Sequence, residues 1–243
     1  MGWSGLLAAL ALSIQAAGCA RKPSDTGQAD AGTAPKARAW ESPPLPPTGD
    51  ELTVKATIDA SAAPRRLVVD IVARNRGKKD LFVLHRLWSY TGGGKRWDEE
   101  GAYRFVDKGS LRLLFGPAPL PLDIMVEDYQ WPLATRLAPD HELPVQVSLR
   151  APIQEYTTFL PLPQPPLPTQ DQCTFAPVRV GKIVVIVQYI VSGPSVEARP
   201  SDLDPSAWMM SGALLSAYAE VAVPTFEVMR CNEPIQREAL PGE

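Results

Sequence analysis

The sequence has 243 residues, with 24 Lys and Arg against 27 Asp and Glu and a formal net charge of −3. Both signs are scattered and no basic stripe is visible, which argues against nucleic acid as a partner. With 2 His and 3 Cys there is little material for acid–base or metal chemistry, and the 26 prolines gather in runs that read as loops or edge covers, because proline cannot donate to a β-ladder.

Residues 6–14 form an uncharged run rich in Leu and Ala. It is too short to span a bilayer, which takes about 20 apolar residues, and the small residues Ala16, Ala17 and Gly18 follow it, the pattern of a cleaved secretory signal. Ala16-Ala17-Gly18-Cys19 resembles the lipobox of bacterial lipoproteins. That resemblance implies a signal peptide over residues 1–18, diacylation of Cys19 as the first mature residue, and the membrane as a partner through the lipid. Ala16 stands where a lipobox usually carries a large aliphatic side chain, and no Lys or Arg precedes the apolar run. The alternatives are an uncleaved apolar helix, or an ordinary signal cut near Ala17. In Gram-negative lipoproteins an Asp after the acylated Cys favours the inner membrane; here Ala20 follows, which points to the outer membrane of the cell envelope.

Residues 20–50 are Ala, Pro, Gly, Ser and Thr with scattered charges, ending in Pro43-Pro44-Leu45-Pro46-Pro47. Such a segment buries too little apolar surface to offset its ordering entropy. It reads as a tether spanning roughly 30 Å as flexible coil and roughly 95 Å if polyproline-like.

A single folded domain is expected over residues 51–232, with a flexible tail at 233–243. Leu52, Val54, Ala56 and Ile58 alternate with polar residues, the period of a strand with one buried face. A second strand is expected at 66–75 and a third at 80–88; with the turn Asn75-Arg76-Gly77-Lys78-Lys79 between them they read as a β-hairpin. Residues 103–106 and 111–115 flank Asp107-Lys108-Gly109-Ser110 and read as another. Further strands are expected at 122–127, 143–149, 182–191 and 219–228. The continuous β-branched run at 183–187 suits a strand buried on both faces. Asp204 and Pro205 ahead of Ala207-Trp208-Met209-Met210 read as the start of a short helix. The pattern predicts an all-β, antiparallel immunoglobulin-like sandwich with long Pro-rich loops and at most one or two short helices. The stretch 67–75, its Lys-rich turn and Leu81-Phe82-Val83 resemble the opening of bacterial immunoglobulin-like domains, including the BsuPI-type proteinase inhibitors, and that resemblance implies protease inhibition as an alternative function.

Cys173 and Cys231 are expected to pair in an oxidising compartment, closing a loop worth about 4 kcal/mol; two unrelated thiols are the alternative. Neither has a His neighbour at ligand spacing, so no metal and no cofactor is expected. His85 falls on a strand and His141 in a turn after Pro139-Asp140, neither in a catalytic motif. Thr91-Gly92-Gly93-Gly94-Lys95 lacks the spacing and the following Ser or Thr of a phosphate loop and reads as a flexible turn. The acids at 98–100, Asp123, Glu127 and Asp128 lack the ligand spacing of a calcium loop. Among the aromatics, Phe82, Tyr103 and Phe105 are expected in the core, while Trp88, Tyr90 and Trp97 flank the glycines and form a possible recognition patch. The expected function is a lipid-anchored, non-catalytic binding or structural module whose partner is an envelope protein or polymer. A protease-inhibitor module and an envelope enzyme are the alternatives.

Overall fold

The computed structural model describes residues 45–59, 66–91, 94–97, 101–118, 131–156, 173–202 and 204–234. Among them the protein is all-β, with strands β1 (Leu52–Asp59), β2 (Arg66–Asn75), β3 (Leu81–Arg86), β4 (Trp88–Thr91), β5 (Gly94–Trp97), β6 (Tyr103–Asp107), β7 (Ser110–Phe115), β8 (Leu133–Leu137), β9 (Glu142–Arg150), β10 (Ile153–Gln154), β11 (Cys173–Val191), β12 (Glu197–Pro200), β13 (Trp208–Ser211) and β14 (Leu215–Pro234). The strand expected at 122–127 and the proline run at 161–168 lie outside the described residues, as do Cys19 and residues 20–44 of the expected tether.

Two sheets make a sandwich. The smaller is β1-β2-β9, antiparallel throughout. The larger runs β10-β14-β11-β3-β8-β13-β12, with the β6–β7 hairpin joined to it through β7 and β11. Most pairings are antiparallel, while β7 with β11 and β10 with β14 are parallel. β11 is long enough to hold β7 and β3 in succession along one edge while β14 runs along the other.

The alternation read from the sequence explains the core. Val69, Ile71 and Ala73 of β2 and Val147 and Leu149 of β9 face Leu111, Leu113 and Phe115 of β7 and Ile183, Val185 and Val187 of β11 across the space between the sheets. Apart from Ala73, each such side chain contributes about 1.5 to 3 kcal/mol on burial. The other face of β11 is covered too: Val184 and Ile186 pack with Leu87, Tyr103, Phe105, Leu114 and Ala118, and Leu45 adds to them from the N-terminal side. This second layer is why residues 183–187 carry no polar alternation. Phe82 packs in a third cluster with Leu84, Ala134, Ile190 and Met210.

The turn between β6 and β7 is the expected hairpin, and Lys108 and Gly109 both have positive φ, at 46° and 73°, as a two-residue turn matched to strand twist requires.

Three sequence expectations are corrected. Residues 66–88 do not form a hairpin: β2 pairs with β1 and β9, and β3 pairs with β8 and β11, so the chain crosses from one sheet to the other at the turn. The reason is Asn75, which is fully buried. Its Nδ2 donates to the carbonyls of Lys79 and Leu137, both at 2.9 Å, and its Oδ1 accepts from Gly77 N at 2.9 Å. Its backbone is engaged too, with N donating to His141 O and O accepting from Asp140 N. The amide therefore fastens the turn to β8 of the opposite sheet.

The second correction concerns the helix expected at 204–210. Trp208–Ser211 is strand β13, between β12 and β8. Asp204 does accept from the next turn, but through Ser206 N at 2.8 Å and Ser206 Oγ at 2.6 Å. With Ala207 N donating to Asp204 O, this closes an isolated turn rather than a helix. Phe82 against Trp208, with ring centroids 5.8 Å apart, holds the start of β13 in the sheet.

Third, Gly94 and Lys95 of the glycine segment are not a flexible turn: they open β5, which pairs with β4. At the N-terminus, Thr48 makes a parallel bridge to Ser216, with Gly49 N donating to Ser216 O and Ser216 N to Pro47 O. The last residues of the expected tether are thus part of the domain.

Candidate functional site

The chemistry-bearing side chains that the structure gathers most closely lie where β9 leaves the small sheet and the chain passes to β10 in the large one. Between them Ala151-Pro152 is a cis peptide. Ile153 and Gln154 then pair with Val228 and Met229 of β14, and Glu155 N donates to Met229 O. Tyr156 next makes an antiparallel bridge with Arg104 of β6, each backbone N donating to the other's carbonyl. The short crossover is therefore fixed by backbone bonds on both sides.

That frame holds Arg104. Its side chain comes from the middle of β6, between Tyr103 and Phe105, which pack on the outer layer, and it is only 7% exposed. Its Nε donates to Gln154 O at 3.0 Å, and its guanidinium carbon stands 5.0 Å from the centroid of the Tyr156 ring. A hydrogen bond at Nε and a ring under the plane fix the orientation of the fork. Beside it, Glu155 is buried and its Oε1 accepts from Val106 N at 2.6 Å. A cleft of about 260 Å³ opens here, bounded by Arg104, Leu149, Arg150 and residues 151–154. Arg150 is exposed and sits directly opposite Arg66 in the β2–β9 register. Of the cationic residues at this end of the sandwich, Arg104 and Arg150 line the cleft.

Of the residues that sequence singled out, Trp88, Tyr90 and Trp97 come together on a separate two-stranded ribbon. Trp88 is opposite Trp97 and Tyr90 opposite Lys95 in its register. Trp88 is half-buried, and its Nε1 donates to Trp131 O at 3.0 Å. Gly92, Gly93 and the acids at 98–100, 123, 127 and 128 lie outside the described residues. Cys173 and Cys231 fall on the adjacent strands β11 and β14, where Cys231 is opposite Phe175 and Cys173 opposite Pro234, with an irregularity between Cys173 and Phe175.

The two histidines are far from the arginine cleft in kind. His85 Nε2 is 2.8 Å from Thr135 Oγ1, and its surroundings include Ile71, Val83, Phe115 and Val187. Burial first, and the Arg86 charge second, push it down to about 4, so it is neutral at pH 7. His141 is exposed, with Nδ1 2.9 Å from Pro139 O. Arg86 pairs with Asp204, whose carboxyl is held below its ordinary range chiefly by the Ser206 hydroxyl, then by Ser206 N. Tyr189 is pushed above the usual phenol range by burial and by the bond it donates to Glu51 at 2.9 Å. Among the described residues no three His, Cys, Asp or Glu side chains come together as a metal site would need. Sequence reasoning missed the cleft because Arg104 and Arg150 lie on strands far apart in the chain; the one local signal was an Arg between the two aromatics Tyr103 and Phe105.

No protein-family model, curated protein or solved structure matches this chain.

Proposed function

We propose that this chain is a lipid-anchored, non-catalytic binding module of the bacterial cell envelope, held at the outer membrane through acylated Cys19. The observation that carries the reading is the apolar run at 6–14 ending in Ala16-Ala17-Gly18-Cys19, followed by a proline-rich spacer and then by a sandwich. In support of a binding role, His85 is committed to Thr135 and to an apolar setting, while the cleft beside the cis peptide is lined by arginines. Arginine forks suit recognition of an anion rather than proton transfer. The test is Cys19→Ser expressed in a Gram-negative host: it should abolish palmitate labelling and leave the precursor uncut. Labelling and cleavage equal to wild type would refute the anchor.

The same reading puts the domain where disulfides persist, and we propose that Cys173 and Cys231 are joined. They lie on adjacent strands, Cys231 opposite Phe175 and Cys173 opposite Pro234, with an irregularity in the register between them. A disulfide takes Cα atoms up to about 6.8 Å apart, so the pairing places the two strand ends within that reach at the irregularity beside Cys173. One cross-linked peptide in non-reducing mass spectrometry of exported protein is expected; two freely alkylated thiols in the folded state would refute it.

A further inference from the structure

We propose that residues 45–49 are a releasable strap, a segment that opens about Gly49 and Asp50 while the sandwich stays folded. The strap is gripped at one point of β14. Gly49 N donates to Ser216 O at 3.1 Å and Ser216 N to Pro47 O at 2.8 Å, around the parallel bridge of Thr48 with Ser216. Pro46 and Pro47 have no N–H, so neither can add a donor to this ladder. Pro47 and Thr48 are exposed, and the apolar hold is Leu45, half-buried against the outer layer that includes Val184 and Ile186. The C-terminal side is fixed by contrast. Glu51 O accepts from Arg76 N at 2.6 Å, and Glu51 Oε2 accepts from Tyr189 OH at 2.9 Å. The chain can therefore lift from residue 45 and pivot ahead of Glu51.

What the strap covers favours its release. Ser216 and Tyr218 lie on the same face of β14, opposite Gln188 and Ile186 of β11. Ser216, beside the strap, is fully buried, whereas Tyr218, past its end, is 38% exposed. The closed strap is thus what keeps water from Ser216. Among the described residues Ser216 Oγ has no hydrogen-bond partner, and neither has Oε1 of the buried Gln188 across the ladder. An orphaned buried hydroxyl raises the energy of the closed state, and water meets it once the strap lifts. Two backbone bonds and one half-buried leucine are set against this polar pair, the balance expected of a segment that opens locally rather than with the whole domain. The opening stands on this geometry alone. Its consequence rests on the lipid-anchored reading: lifted and extended, residues 45–49 add about 17 Å to the reach of the domain from its anchor.

The experiment is residue-resolved hydrogen exchange of the full acylated chain in neutral detergent, in urea concentrations below the unfolding transition. The Gly49 amide, bonded to Ser216 O, reports the strap; the Ala217 amide, turned toward β11 by the alternation of the ladder, reports the domain. Gly49 should exchange faster than Ala217 and at a rate independent of urea, while exchange at Ala217 rises with urea. Leu45→Ala should speed exchange at Gly49 about tenfold through the loss of half-buried carbons. Ser216→Ala should slow it about five- to a hundredfold, because the orphaned hydroxyl is gone from the closed state. A merely structural strand end would show the opposite sign or no change. Gly49 exchange that follows Ala217 in rate and urea dependence overturns the proposal, as does an unchanged rate in Leu45→Ala or an unchanged or faster rate in Ser216→Ala. Palmitate labelling of Cys19 and exchange at Gly49 are read separately, so failure of the anchor and failure of the strap are told apart.

Discussion

Replacing Asn75 with Ala tests whether one amide sets the crossover between the sheets. The side chain uses both of its N–H donors and one acceptor position, on Leu137 O, Lys79 O and Gly77 N. Alanine leaves those three backbone groups without their partner. Leu137 O lies in the buried part of the network and the other two in part-buried positions. An orphaned buried group costs about 1 to 3 kcal/mol and a part-solvated one about 1, so the total is about 4 kcal/mol. In a domain of this size each kcal/mol moves the melting temperature by about 2 to 4 °C, giving a fall of roughly 8 to 16 °C. Urea unfolding should show the midpoint lowered with the slope unchanged. Asn75→Asp should be no better, since a carboxylate keeps the acceptor for Gly77 N but turns acceptors toward two carbonyls. Thr53→Ala, which removes only an exposed 3.4 Å bond to Arg74 O, should stay within about 0.5 kcal/mol. A loss below about 1 kcal/mol for Asn75→Ala would refute the claim that this amide fastens the sheets together.

Two further perturbations concern buried groups. Because the folded protein holds His85 near 4 while the unfolded chain titrates near 6.5, acid protonates the unfolded state first. The stability due to the neutral ring is complete above about pH 6.5 and is lost as pH falls to about 4, by about 3 kcal/mol in all; His85→Asn should start lower at pH 7 and lose correspondingly less over that window, and a constant gap between the two proteins would refute the assignment. Gly116 has φ of +146°, and a Cβ there would lie 2.1 Å from Gln188 Oε1, a side chain 1% exposed; Gly116→Ala should lose about 2 to 3 kcal/mol in urea unfolding, and a neutral result would mean that Gln188 moves aside without cost.

Where apolar periodicity decides the structure, the sequence announces it. β1, β2, β9 and the centre of β11 stand where alternation or an unbroken β-branched run put them, and the Asp107–Ser110 turn carries its own glycine. Residues 133–137 and 197–200 carried no such signal. In the first, the polar Thr135 and Arg136 fall side by side; in the second, all four residues are exposed at an edge. The helix expected at Asp204 failed because an Asp two residues before a Ser serves a lone turn as well as a helix start. The hairpin expected at Asn75 failed for a different reason: its deciding partner, Leu137 O, is 62 residues away. The cleft beside the cis peptide is of the same kind, since the Arg104–Tyr156 bridge and the pairing of residues 153 and 154 with β14 together frame it.

The arrangement of β14 has a consequence for the order in which the protein can be made. β11 finds β3 and β7 already synthesised, but its other edge waits for the later strand at 215–234. Until then a long β-branched edge, the kind most prone to pair with a neighbouring chain, stays open. The delay also reaches the cleft, because Ile153 and Gln154 have their ladder partners only at Val228 and Met229. A chain released before residue 228 would lack the ladder partners that fix the crossover at residues 153 and 154.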